Sequence, residues 1–346
     1  MNKGKLKAII GVAGAVCILV LFGLALHWID NAKEDNIGYD NELQDVAEDP
    51  VLYIGDYEYT IRDDVESYLL IGTDDSGNEE AVGTKEYRGA MADFLLLFVM
   101  NNTKETYGFL QINRDTIVDV PYMDTEGNGS DELKQQICTA HWYGGDPEQG
   151  CENTVFAASE LLGFAPITGY YSIHMSKVDL LNHAVGGVEV TIEEDMTATD
   201  PAFVKGRTIK LTDKQAQEFV RARMEVGSGE NTARMSRQMQ YMSAFKAKAQ
   251  AKLDEDPAFV NDIYDELQDA AVTDIPSSNI SSIVHHLTKS EDLGILQIDG
   301  EKKIGKTLGD GKDYTEFYAD EESIAEAMVK LYGINEKDIK NIGGDE

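Results

Sequence analysis

An uncharged run at the start of the chain limits its fold more than any other feature. Residues 8–29, "AIIGVAGAVCILVLFGLALHWI", are 22 consecutive residues without a charge, long enough as a helix to cross a hydrocarbon core of about 30 Å. Lys3, Lys5 and Lys7 precede the run, whereas Asp30, Glu34, Asp35, Asp40, Glu42, Asp45, Glu48 and Asp49 follow it against a single Lys33. Positive residues before the span and acids after it place residues 1–7 in the cytoplasm and everything beyond Trp28 outside the cell. A cleaved secretory signal is the alternative, but the run is long for a signal core and no small-x-small cleavage site follows. Either way the bulk of the chain is exported. The expected layout is a cytoplasmic tail over 1–7, a membrane helix over 8–29 and an acidic linker over 30–50, in a single-pass cell-membrane protein.

The exported part is strongly acidic. The chain carries 63 Asp and Glu against 30 Lys and Arg, a formal net charge of −33. That field repels nucleic acid and anionic lipid surfaces, which excludes nucleic acid as a partner and obliges any anionic ligand to find a local positive site. The sequence is nevertheless 42% hydrophobic, and its apolar residues come in periodic runs, so it is no disordered polyanion. "VLYIGDYEYTI" (51–61) reads as strand with a Gly turn, and "SYLLIGTDDSG" (67–77), "DFLLLFVMN" (93–101) and "TYGFLQINRDT" (106–116) read as further strands. "NTVFAASELLGF" (153–164) reads as a helix capped by Asn153. "VDLLNHAVGGVEVTI" (178–192) passes from helix through Gly-Gly into strand. A Thr-capped helix over 211–223 and a long amphipathic one over 231–253 follow. The alternation predicts an α/β sheet covered by helices over 51–253, with 254–346 as an acidic, mainly helical C-terminal extension.

Four of the eight arginines fall in "RARMEVGSGENTARMSRQ", residues 221–238. Arg234, Arg237 and Gln238 share one face near the start of the long helix, the loop before it is Gly-rich, and Arg221 and Arg223 arrive from the other side. Guanidinium forks gathered at one helix mouth suit a diphosphate, and structural pairing with the many acids is the competing account. Elsewhere Arg114 and Asp115 sit where a strand ends, Asp93 opens an apolar strand and Asp74 ends another. Asp74 and Asp93, with phosphate oxygens and water, make a candidate Mg²⁺ site, although either Asp alone reads equally as a turn or cap residue. Cys138 and Cys151 bracket "TAHWYGGDPEQG". In an exported domain they are expected to pair, a bridge worth about 3 kcal/mol on the entropic account, with two separate thiols as the alternative.

Taken in order, "LLIGTDDSG", "ADFLLLFV", "INRDT", "QICTAHWYGG", "LLNHAVGGVEVTI", "QEFVRARM" and "RMSRQMQ" resemble the LytR-CpsA-Psr family of cell-wall glycopolymer ligases, over roughly residues 68–245. The resemblance implies a central mixed β-sheet flanked by helices. It also implies an Mg²⁺-assisted phosphotransferase that moves a glycopolymer, of the teichoic acid or polysaccharide class, from a polyprenyl diphosphate carrier to peptidoglycan. It assigns Asp74 and Asp93 to metal binding, Asp93 and Arg114 to catalysis, and Arg114, Arg221, Arg223, Arg234 and Gln238 to the diphosphate. Three positions depart from the family's pattern. Met91 stands where Arg is common, with Arg88 as its expected substitute; Gln136-Ile137-Cys138 replaces Lys-Ile-Asn; and Asn231 replaces an acid. Phe94, Leu96, Phe156 and Leu161 are candidates for a lipid channel, with ordinary core packing as the alternative. Two further functions use the same arginines: a sensor or attenuator that binds the carrier without turnover, and a lipid diphosphate pyrophosphatase.

Overall fold

The structure is a computed structural model that describes residues 49–343, apart from 75, 79–81, 83–87, 122–132, 223–230, 256–258, 260–270, 276–278, 280–281, 284–285, 287–288 and 310. The expected membrane span over 8–29, Arg223 and most of the Gly-rich loop before the long helix therefore lie outside the described residues. Among those described, no helix is long and apolar enough to cross a membrane.

Strands β1 (Val51–Ile54) and β2 (Tyr57–Thr60) form a hairpin about Gly55, whose φ of +54° suits a residue without Cβ. β3 (Val65–Thr73), β4 (Ala92–Asn101) and β5 (Thr106–Ile112) follow as an antiparallel meander. β6 (Ile117–Val120) pairs with β7 (Leu133–Gln136), which leads through a 3-10 turn, Ile137–Trp142, into α1 (Pro147–Leu161). Next come β8 (Gly169–His174), α2 (Val178–Ala184), β9 (Glu189–Thr191), β10 (Thr208–Lys210), α3 (Asp213–Arg221) and α4 (Asn231–Glu255). The chain ends through β11 (Ala271–Thr273), β12 (Glu291–Gln297), the hairpin β13 (Gly300–Gly305) and β14 (Tyr314–Ala319), α5 (Glu321–Tyr332) and β15 (Ile339–Asn341).

The central sheet has the order β11-β8-β3-β4-β5-β12. β3 with β8 and β5 with β12 run parallel, and the other pairs are antiparallel, so the sheet is mixed. Successive strand side chains point to opposite faces. Tyr68, Leu70, Leu96, Phe98 and Met100 accordingly enter a core shared with α2, α3 and α4. Leu69, Ile71, Leu95, Leu97 and Val99 enter a second core under α1 and α5. Burial on both faces is why these strands read as unbroken apolar runs.

The helix signals behave unevenly. Thr212 caps α3 through a capping box with Gln215, as its sequence suggests. α1 begins earlier than expected: Asp146 accepts the Gln149 N–H at 2.9 Å and Pro147 takes the first helical position, where its missing N–H costs nothing. Asn153 lies inside α1 and donates to the Tyr143 carbonyl instead. The larger difference concerns residues 254–346. Among their described residues strands stand beside helix: β11 and β12 form the two edges of the central sheet, and β15 extends the β1–β2 hairpin.

Candidate active site

Strand register gathers the charged residues at one end of the sheet. Leu95 of β4 faces Ile112 of β5, Gly72 of β3 faces Phe94, and Thr73 faces His174 of β8. The start of β4 and the ends of β3, β5 and β8 thus share one edge, where Asp93, Asp74 and Arg114 emerge. Asp74 Oδ1 accepts the Met91 N–H at 2.9 Å and the Ser76 N–H at 3.0 Å, and its own N–H donates to the Met91 carbonyl at 3.0 Å. This clasp fixes the entry to β4.

Asp93 is the hub. Its Oδ2 accepts from Arg234 Nη1 at 2.7 Å, while its Oδ1 touches Arg114 Nη1. The Arg234 side chain is 3% exposed, that of Arg114 8% and that of Asp93 13%. Oδ1 nevertheless makes no aligned hydrogen bond, although it is buried. Arg114 Nε lies 3.3 Å from the buried carboxylate of Asp115, which also accepts from Gln136 Nε2 at 3.2 Å. Burial disfavours the Arg114 charge, but Cys138, Asp115 and Asp74 outweigh it and raise the guanidinium's pKa. Arg114 and Arg234 therefore stand against three carboxyl groups, those of Asp74, Asp93 and Asp115.

The remaining Arg114 nitrogen meets sulfur. Nη2 donates to Cys138 Sγ at 3.0 Å and lies 3.5 Å from Met91 Sδ. Two positions that depart from the family's pattern, 91 and 138, thus meet on one guanidinium. The expected Cys138–Cys151 bridge is not formed, and both cysteines are free and buried. Cys138 is turned to the sheet end and Arg114. Cys151, in α1, faces His141 Nε2 at 3.7 Å within the opposite core. Proximity in sequence did not bring the Cβ vectors together. Burial pushes the Cys138 thiol up against the pull of Arg114, and burial pushes Cys151 up to about 12.

The other expected residues divide. Arg237 is buried and spends its donors on α3, with Nε to the Phe219 carbonyl at 3.1 Å and Nη2 to that of Ala222. It closes a helix end and does not face the mouth of α4. Gln238 donates weakly to the Val220 carbonyl at 3.4 Å, and its buried Oε1 has no hydrogen-bond partner. Arg221 ends α3, half-buried. Arg88 is exposed, with its guanidinium 5.8 Å from the Trp142 ring centre. Reading the sequence missed Cys138 as a partner of Arg114 and Gln136 as a partner of Asp115. The departures from pattern at 136 and 138 were the available signal.

Beside this cluster an apolar cavity of about 80 Å³ opens between the sheet and helices α2, α3 and α4. Phe94, Leu70, Tyr171, Ile173, Tyr241 and Met242 line it, with Gln238 as a polar member. Of the four residues expected to line a lipid channel, only Phe94 does. Leu96 is packed in the core behind it, and Leu161 and the exposed Phe156 lie on α1 across the sheet. Among the described residues no group of three His, Cys, Asp or Glu is placed to hold a metal.

A family model described as "LytR_cpsA_psr family" matches residues 32–331. The polyisoprenyl-teichoic acid–peptidoglycan teichoic acid transferase TagU of Bacillus cereus (strain ATCC 14579) is 30% identical over 178 residues, covering 51% of this chain and 50% of that protein. The chain thus matches about half the length of its curated relatives. Among solved structures, B. subtilis TagV superposes with a TM-score of 0.55 at 18% identity, covering 79% of this chain and 97% of that one. TagT bound to LI-WTA gives a TM-score of 0.54 at 20% identity, covering 79% and 90%. Both share the fold.

Proposed function

The chain belongs to the LytR-CpsA-Psr family, and from that premise we propose that it is a membrane-anchored extracytoplasmic phosphotransferase attaching a polyprenyl-diphosphate-linked glycopolymer to peptidoglycan. One observation carries the reading. The Asp93–Arg114–Arg234 cluster adjoins an apolar cavity at Phe94, so one place offers guanidiniums for phosphate and dry space for a prenyl tail. The teichoic acid and peptidoglycan in TagU's name support this substrate class.

In the proposed reaction the diphosphate draws Arg114 and Arg234 off Asp93, with Arg221 at the rim. An acceptor hydroxyl attacks the phosphorus that bears the glycan, the bridging P–O bond breaks, polyprenyl phosphate leaves, and a phosphodiester joins glycan to peptidoglycan. Asp93, freed from its ion pairs, takes the hydroxyl proton. Asp74 and Asp93 would hold Mg²⁺ with hard oxygens at one edge once the ligand draws Arg114 off Asp93 Oδ1. When bound there, Mg²⁺ would add to the neutralisation of phosphate charge that the two guanidiniums begin.

Native mass measurement of the full chain released from membranes tests the reading. A polyprenyl phosphate or diphosphate should copurify, and Arg221→Ala should lower its occupancy about tenfold, the loss of one charged hydrogen bond. No prenyl lipid, or equal occupancy in the variant, contradicts the assignment.

A further inference from the structure

A second concavity lies outside the cluster. α4 packs on one face of the sheet and α5 on the other, and between them, along β12, runs a groove of about 770 Å³. Ile295, Leu296 and Gln297 are consecutive in β12 and all line it. Neighbouring strand side chains point to opposite faces, so three in a row can line one space only where that space follows the strand's open edge. Among the described residues β12 is the terminal strand and pairs only with β5. Its outward N–H and C=O groups, alternating along the strand, are a template for one more strand.

The charge of the groove narrows the choice of occupant. Glu193, Asp299 and Glu326 face it against one cation, Lys330, whose Nζ is turned onto the Leu293 carbonyl at 3.3 Å. Among the described residues Glu193 and Glu326 have no hydrogen bond or ion pair. The groove also lies close in the chain to residues of the cluster. Ser236, on its wall, sits between Arg234 and Arg237, and Gln297 donates to Gln111 at 2.7 Å, three residues before Arg114.

We propose that this groove seats the short peptide of the peptidoglycan acceptor, laid as an added strand along β12 with the ammonium of its diamino acid among Glu193, Asp299 and Glu326. The inference rests on the transfer reaction proposed above and gives its acceptor a second point of attachment. A bare glycan strand has no amide ladder to match the edge of β12 and no cation for the acids.

Three synthetic probes test this on the full chain in lipid nanodiscs: a disaccharide-peptide with a free side-chain amine, the same molecule N-acetylated at that amine, and the peptide-free oligosaccharide. The free-amine probe should bind about tenfold more tightly than the other two. Glu193→Gln combined with Glu326→Gln should erase that preference, and Ser243→Trp, which fills the groove from α4, should abolish binding. Carrier binding is read on the same variants and should be unchanged. Equal affinity for all three probes, a preference that survives both variants, or no binding of any probe overturns the groove assignment. If wild type transfers polymer yet shows no preference, the groove assignment alone fails. If it binds the free-amine probe but never binds carrier or transfers polymer, the transferase reading alone fails.

Discussion

Asp93 stands between two guanidiniums that are almost fully shielded from water. Removing it takes from both guanidiniums the carboxylate they share, and breaking a buried pair in this way costs about 3–5 kcal/mol. Asp93→Ala should therefore lower the unfolding free energy by that amount in a urea titration, whereas Asp93→Asn, which keeps an acceptor oxygen, should lose less. Equal stability of Asp93→Ala and wild type would mean that the guanidiniums have other anions. The cysteines make a different prediction. Burial raises the Cys151 thiol from its ordinary 9.0 to about 12, so the stability it contributes is complete below pH 9 and is lost as the pH rises toward 12. In the folded protein both Cys138 and Cys151 should resist alkylation at pH 8, and both should be labelled quantitatively once unfolded without reductant. A crosslinked Cys138–Cys151 peptide in a non-reducing digest would contradict the free thiols.

At the level of the element, β4 is the structural centre. Phe98 is fully buried and stacks on Phe109 with ring centroids 5.0 Å apart. Phe98→Ala should cost about 3–5 kcal/mol, measured by denaturant unfolding, and a loss under 1 kcal/mol would show that the core collapses around the gap. The strands β3, β4 and β5 were legible because sheets buried on both faces leave long apolar runs. β11 and β12 were not: one has three residues, and the other, "EDLGILQ", opens on two acids and is bulged near Gly294. In the site, the sequence pattern picked out Asp93, Arg114 and Arg234, since each opens or follows a recognisable element. It misplaced Arg237 because a helix face says which residues neighbour one another and not which acceptor an arginine finds. Cys138 was misread for a related reason: chain spacing carries no information on where a thiol points.

The whole molecule sets these parts in a field of net charge −33. Such a chain gathers an anionic ligand only where it holds cations in place, and the sheet end holds Arg114 and Arg234 beside an apolar cavity, with the carboxyl groups of Asp74, Asp93 and Asp115 around them. In the proposed reaction the acidic groove along β12 takes the cationic acceptor peptide and the sheet end takes the anionic donor, so charge would keep the two apart until they meet at Asp93. The most direct measurement follows a labelled glycopolymer from its polyprenyl diphosphate carrier to a peptidoglycan oligomer, with Mg²⁺ and the full chain in membranes, comparing wild type with Asp93→Asn. The account predicts transfer by wild type and a loss of at least about a hundredfold in the variant, in line with removal of a general base, with carrier binding kept. Undiminished transfer by Asp93→Asn, or wild-type release of polymer to water alone, would contradict it.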